Sequence, residues 1–494
     1  MEWLSSLGFF GSVLRVLILL LEVVIVFNLL IVVHEWGHFL AARWRGLVIE
    51  KFYIWFGKPI WKKTINGVEY GLGSLPFGGF VALPQMAPMD AIEGKTEDAR
   101  QSYPPITALD KIIVAFAGPL FSFLLACLFA VIVMFVGRPQ RLNTDTTIGW
   151  VKPGSPAEKA GLKAGDKILK IDGTEIKSWD APIDSVRERI PFSQGPKILI
   201  EFQRPGETAP RTVESDFEVE SGTWFQRTGL RTIGVIDSAP FKIGEVKANS
   251  PAALAGIQKD DLITHLNGEA IFSYAPLMFY FKDNPEAKAK VTVKRGAEVK
   301  EVELTVRKPD VPAGYPLPMH GMEFLPLNTD AKDTLVYPNW WASVKQSSLM
   351  MFRTITGLLT PGDSVSFQHL SGPVKIGSIY YQLFQEPQGW RMVLWFCVVL
   401  NVNLALLNLI PFPVLDGGHI VMGFIEMIRR RPTVQVRALE IFQTACALLL
   451  FSFIIYVTWF DTWDLLGNGK GGEKDPFANV KSEDIKFLPP PPAK

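Results

Sequence analysis

Apolar residues gather into four long stretches, roughly Phe9 to Phe39, Ile112 to Val136, Met392 to Ile410 and Leu439 to Phe460. Each is long enough to cross a hydrocarbon core of about 30 Å as a helix of ~20 residues. The first lies near the N-terminus, but its apolar run far exceeds the ~7–15 residues of a signal-peptide core, and no small-residue cleavage pattern follows it. It reads as a retained span. Between the first two spans, Tyr70 to Leu83 is apolar, Gly-rich and too short to cross as a helix. Between the second and third, Gly137 to about Gln388 has the mixed composition of a segment in water. Late in that segment Trp341, Val344, Ser348, Phe352, Ile355 and Leu359 recur at intervals of three or four between Pro338 and Pro361. That spacing predicts an amphipathic helix, lying on a membrane interface or packed under the water-borne segment.

Composition agrees: of 494 residues 48% are hydrophobic and only 20% charged, against roughly 25% charged in soluble domains. Lys+Arg 50 against Asp+Glu 49 leaves a net charge of +1, which gives no electrostatic footprint for nucleic acid. Cys127, Cys397 and Cys446 lie singly in apolar runs, so neither a disulfide framework nor a cysteine zinc site is expected. The charges are nevertheless sided. Arg43, Arg45, Lys51, Lys58, Lys62 and Lys63 follow the first span, and Arg429, Arg430, Arg431 and Arg437 separate the last two. By the positive-inside rule these loops face the cytoplasm, placing both termini and the long middle segment outside.

The middle segment contains an ungapped repeat. Ile148–Gly173 recurs at Ile243–Gly268, with Ser155/Ser250, Pro156/Pro251, Gly161/Gly256, Asp166/Asp261 and Gly173/Gly268 among the identities. A repeat of this kind means two copies of one domain. Each copy reads as strand, Ser-Pro-Ala opening a short helix, then a strand ending in an Asp-Gly or Asn-Gly turn. The segment resembles PDZ domains, which implies two α+β domains, placed at 145–222 and 223–310. PDZ domains bind chain ends or extended peptides by strand addition in some proteins and act as steric gates in others.

The chemistry sits on the first span. His34-Glu35-Trp36-Gly37-His38 fits H-E-x-x-H. On a helix, side chains four apart share a face, so both imidazoles can hold one Zn²⁺ with Glu35 placed to take a proton from its water. Ionisable groups at a span end are costly to desolvate and are functional candidates by default. Glu22 and Asn28, earlier on the same span, read as packing or cavity-facing groups. A catalytic zinc needs a third protein ligand. The charge-derived topology brings to the same face Asn408-Leu-Ile-Pro411-Phe-Pro413-Val-Leu-Asp416-Gly-Gly-His419, where prolines end the third span.

These motifs together resemble the site-2 proteases, intramembrane zinc metalloproteases carrying H-E-x-x-H on one span and N-x-x-P-x-P-x-L-D-G on a later one. Four spans with tandem PDZ-like domains between the second and third are similar to the bacterial subgroup that regulates the envelope-stress sigma factor. The resemblance implies a zinc metalloendopeptidase of the bacterial inner membrane, with one Zn²⁺ held by His34, His38 and Asp416 and with Glu35 as general base and acid. It implies single-span membrane proteins as substrates, an anti-sigma factor after a first cleavage and remnant signal peptides among them. Tyr70–Leu83 resembles the family's membrane-re-entrant β-hairpin, expected over about 65–83, whose Gly78, Gly79 and Phe80 offer an edge to an unwound substrate, or form a loop packed on the protein. Asn403, Asn408 and Pro411 are expected along the bound substrate. Ala117-Gly118-Pro119 and Ser122 are similar to a small-residue motif of the family, for which close helix packing is sufficient reason. His419 is expected beside the site or on the surface, and not among the ligands.

The expected architecture is a multi-pass α-helical membrane protein: spans one and two in 1–136, a linker with the amphipathic helix over 311–388, spans three and four in 389–463 and a flexible tail over 464–494. A membrane-anchored PDZ scaffold is the competing class, against which all four chemical residues are intact. A transporter with broken helices would show inverted halves, and four spans offer none.

Overall fold

The computed structural model describes residues 8–86, 103–140, 144–222, 227–284, 287–307, 320–326, 334–360, 363–386, 388–430, 436–466 and Phe487. The chain divides into two compact units, one of residues 1–139, 335–355 and 370–462 and one of residues 140–334, 356–369 and 463–494.

The first unit is helical. Helix α1 (Gly8–Trp44), α2 (Ala108–Val136), α5 (Gly389–Asn408) and α7 (Val436–Leu465) contain the stretches long and apolar enough to cross a membrane. Helix α3 (Trp340–Leu359) matches the predicted amphipathic helix. A second one, α4 (Pro373–Gln385), shows why α3 buries Val344: Tyr380 of α4, fully buried, joins it in a core with Val393, Val398 and Val402 of α5. Helix α6 (Asp416–Arg429) follows the third span.

Helix α2 is the hub, and the polar ends of its neighbours fasten to it. Thr107 and Asp110 form a reciprocal cap, the Thr107 N–H donating to Asp110 Oδ2 at 2.9 Å and the Asp110 N–H to Thr107 Oγ1 at 3.1 Å, which satisfies donors a bare helix start leaves open. Asp110 also accepts from Arg45 Nε at 2.7 Å, fixing the end of α1. One residue on, Lys111 reaches Glu426 of α6 at 2.8 Å. In the middle, α1 and α2 touch backbone to backbone: a Cβ on Gly37 would lie 2.4 Å from the Ala117 carbonyl oxygen. The small residues of Ala117-Gly118-Pro119 thus serve close packing, as expected.

Between α1 and α2 lies a four-stranded sheet of β1 (Lys51–Phe56), β2 (Trp61–Ile65), β3 (Val68–Leu72) and β4 (Leu75–Ala82), in the order β2-β3-β1-β4. The expected hairpin over 65–83 does not form as a pair of neighbours. β3 runs parallel to β1, and β4 pairs antiparallel with its other side. Gly73 allows the crossing, because its N–H bonds to the Ile54 carbonyl and a Cβ there would lie 2.3 Å from the Phe56 oxygen. The true hairpin is β2–β3, and β4 is left as an edge strand. Asn28 of α1 accepts a hydrogen bond from the Trp55 ring N–H, so this span residue anchors the sheet.

The second unit contains the two repeats as PDZ-like domains. In each, Ser155 or Ser250 caps a one-turn helix and the repeated Asp is gripped by an arginine. Arg204 Nε and Nη2 donate to Asp166 at 2.8 and 2.7 Å, and Arg295 repeats both bonds to Asp261 at 2.7 and 2.8 Å. Such paired bonds between fork and carboxylate are the strong kind, so these positions are explained by fold maintenance.

The copies extend further than the repeat predicted. Val235–Asp237 pairs back on Ile148–Val151, and Met322–Pro326 pairs back on Phe241–Val246. The limits expected at 222 and 310 therefore each cut off a closing strand. Trp150 of the first copy stacks on Phe279 of the second at 4.3 Å. The tail beyond Leu466 lies outside the described residues except for Phe487, which is buried.

The copies differ at one core position. Ala157 N–H donates to the Ile233 carbonyl and Ala252 N–H to the His320 carbonyl, both at 3.0 Å, so the second domain has histidine where the first has isoleucine. His320 Nδ1 accepts from the Met322 N–H at 3.0 Å, the ring lies 4.9 Å from Phe324, and burial pushes its pKa down to about 4. An unfolded histidine takes its proton near 6.5, so protonation favours the open domain. Its stability should be complete above about pH 6.5 and fall by up to ~3 kcal/mol between there and pH 4. Hydrogen exchange of the second domain against pH should show this loss, and His320→Ile should flatten the profile; an unchanged profile in the variant would place the sensitivity elsewhere.

Candidate active site

Three of the four chemical residues converge on one point as a group that could hold a metal ion. His34 Nε2 and His38 Nε2 are 3.3 Å apart, and Asp416 places Oδ2 3.2 Å from the first and Oδ1 3.4 Å from the second. All three residues are buried. Tetrahedral zinc with ligand bonds of about 2.0–2.1 Å separates its ligand atoms by ~3.3 Å, so this triangle has the size that the ion requires. Asp416 reaches it because the chain turns sharply after α5. A Cβ on Gly417 would lie 2.3 Å from the Ile410 oxygen, and one on Gly418 2.3 Å from the Phe412 oxygen. The Gly-Gly after Asp416 is therefore a packing requirement of the turn that aims the carboxylate.

Helix α2 supplies no ligand and orients two. His38 Nδ1 donates to the Val114 carbonyl at 2.8 Å. A carbonyl only accepts, so the proton sits on Nδ1 and Nε2 presents its lone pair to the centre. Pro119 has no N–H for the Ala115 carbonyl, the next along α2 after Val114, and crowds that turn. His34 Nδ1 bonds to Ser122 Oγ at 3.0 Å, and Ser122 is fully buried. Packing alone was sufficient reason for Ser122 in the sequence; the contact makes it a positioning residue. Ser122→Ala should lower metal affinity by about 10–100-fold, the usual cost of losing such a support, measured by competition with a chelator. Unchanged affinity would return Ser122 to a packing role.

Gly118 closes the third side. A Cβ there would lie 2.2 Å from His38 Nε2 and 2.8 Å from His34 Nε2, so only glycine leaves room at the centre. The sequence offered this residue as a packing element; its place against the imidazoles needed the fold.

Glu35 and His419 line one small enclosed cavity with His38, Val81 and Asp416. His419 is buried beside the triangle and outside it, as expected. Gly79 of β4 lies against Glu35: a Cβ on Gly79 would be 3.5 Å from Glu35 Cγ. Gly78 has φ +75° and abuts the Phe56 ring, and Phe80 packs on Tyr53 with ring centres 5.3 Å apart. Asn408 Nδ2 lies 3.4 Å from His34 Nε2. Asn403 does not share its face, because five residues turn a helix by about 140° beyond a full turn. Pro411 is exposed in the turn after α5.

The model of peptidase family M50 matches residues 22–453. The chain belongs to that family. As a member it is a metalloprotease. Among curated proteins it is 28% identical to "Protease RseP" of Yersinia pestis, over 83% of this chain and 90% of that protein. It is 29% identical to "Putative zinc metalloprotease NMA0084" of Neisseria meningitidis, over 84% and 92%, and 27% identical to "Regulator of sigma-E protease RseP" of Escherichia coli, over 83% and 90%. Among solved structures, the PDZ domain of an SdrC-like protein from Listeria monocytogenes aligns with 18% of this M50 chain and 92% of its own, at 22% identity and TM-score 0.16.

Proposed function

We propose that this M50 member hydrolyses peptide bonds within transmembrane segments, with one zinc ion held by His34, His38 and Asp416. The observation that carries the reading is the triangle of ligand atoms 3.2–3.4 Å on a side, set next to Glu35 and the edge strand β4. A zinc ion held there would polarise the scissile carbonyl and bring a water's pKa toward ~7. Glu35 takes the water's proton and delivers it to the leaving amine. Asn408 and the backbone of β4 hold the substrate strand. A helix must unwind before attack because its amides are tied up internally; the outer edge of β4 has no strand partner among the described residues and offers main-chain bonds to the opened segment.

In this reading both termini and the PDZ-like domains face the periplasm and the centre lies toward the cytoplasmic side of the inner membrane. The substrate class in this reading is an anti-sigma factor trimmed by a first cleavage, with remnant signal peptides a second; relatives named regulators of sigma-E support a place in that pathway. The PDZ pair gates by size, excluding substrates whose external part is still bulky.

The test uses the full chain in proteoliposomes with a single-span substrate, intact or trimmed outside the membrane. Mass analysis should map the cut inside the apolar segment; cuts confined to water-exposed loops would sink the intramembrane reading. Removing Thr146 to Pro326 should let intact substrate be cut as fast as trimmed. Loss of cleavage of the trimmed form would instead make the PDZ pair a receptor.

A further inference from the structure

Phe487 is about twenty residues beyond the last described residue of α7 and only 5% exposed. It is buried against the second PDZ-like domain. A Cβ on Gly321 would lie 3.0 Å from its Cε2, beside Ser250, and the Arg307 guanidinium stands 5.7 Å from its ring centre. Arg307 is held over the ring by donating from Nη2 to the Asn249 carbonyl. In the first copy, the glycine in the same place, Gly234, meets only Ser155 and Lys152. The aromatic contact therefore belongs to the second copy alone, and its ring comes from the tail.

The surroundings suit a ligand more than a core. Gly321 opens Met322–Pro326, which ends its sheet and pairs only with Phe241–Val246. One side of that strand thus has no neighbouring strand among the described residues, and Phe487 sits against Gly321, the residue just before it. The sequence around Phe487, Ile485-Lys-Phe-Leu-Pro-Pro-Pro-Pro492, carries a proline run, and proline-rich sequence in general favours an extended form that loses little entropy on docking. A face of Gly321, a capped serine and a positive guanidinium takes the flat face of an aromatic ring.

We propose that the second PDZ-like domain has an aromatic-side-chain site at the Gly321 loop, and that Phe487 is its internal ligand. The tail holds the slot closed in cis, and an aromatic residue on another extended chain must displace it to bind. A short tether in general presents its end at roughly millimolar effective concentration. Against a site of roughly 100 μM intrinsic affinity, that weakens any competitor by about tenfold.

The experiment uses the full chain in nanodiscs and a fluorescent peptide of residues 482–494. The peptide should bind Phe487→Ala with an apparent Kd about tenfold lower than it binds the unaltered chain. The same peptide with alanine at Phe487 should bind neither. Amides of 250–256 and 320–322 should exchange faster in Phe487→Ala and regain protection when the peptide is added, which loss of a merely structural contact would not allow. Adding Arg307→Ala should weaken binding by about two- to fivefold. Equal affinity for both chains, or no binding to Phe487→Ala, overturns the proposal. Because the readout is binding and exchange, it stands or falls apart from the protease and gating readings.

Discussion

Glu35→Gln should leave the metal content of the purified chain at the unaltered level and lower cleavage of a single-span substrate by about 10²–10⁴-fold. Gln matches Glu in shape and still fills the space beside Gly79, where a Cβ on that glycine would lie only 3.5 Å from Glu35 Cγ. The triangle of His34, His38 and Asp416 does not include residue 35, so binding of the ion has no reason to change. What disappears is the group that accepts and returns a proton, and such catalysis contributes about 10²–10⁴ in rate. Metal analysis and single-turnover cleavage on the same sample separate the two effects. Metal lost along with activity would make Glu35 part of the binding set; residual activity within tenfold would move the general base elsewhere, with His419 the next group to test.

Gly118→Ala should have the opposite signature, losing the metal first. The added methyl would lie 2.2 Å from His38 Nε2 and 2.8 Å from His34 Nε2, inside any allowed contact, and neither imidazole is free to yield. His38 is pinned through Nδ1 to Val114 and His34 through Nδ1 to Ser122. Helix propensity works the other way, since alanine in place of an interior glycine favours a helix by ~1 kcal/mol. The chain should therefore remain folded while its zinc affinity falls by at least about a hundredfold. Gly377→Ala is the control: a Cβ there meets nothing within 4 Å, and metal content should be unchanged. Normal zinc in Gly118→Ala would mean that α2 does not stand over the centre as described.

The spans and the meeting of His34 with His38 were legible because each has a local cause: apolar length, and a four-residue step on a helix. Asp416 was legible through charge asymmetry and motif, although more than 370 residues separate it from His38. Ser122 and Gly118 were visible only as small residues suited to packing, since a hydroxyl or a missing Cβ acquires its meaning from what another helix brings opposite. The sheet misled for a related reason. Gly-rich apolar strands in sequence suggest neighbours, whereas β1 inserts between β3 and β4 through a crossing that Gly73 permits. Domain ends were drawn short because a closing strand such as Met322–Pro326 carries no repeat signature and pairs at long range. Helix α4 escaped notice although Ile376, Ile379, Tyr380 and Leu383 recur at helical spacing as plainly as the apolar residues of α3.

The central place of α2 also bears on the order in which the enzyme is made. Chains emerge N-terminus first at roughly 5–20 residues per second. His34, His38 and the helix that orients them are therefore synthesised well before Asp416. At that pace the half-built centre exists for roughly 15–60 s with its imidazoles already held by Val114 and Ser122 and no carboxylate to complete them. A newborn protease in this arrangement has no complete metal centre through the making of both PDZ-like domains, and becomes competent to cut only after the domains proposed to restrain it are in place.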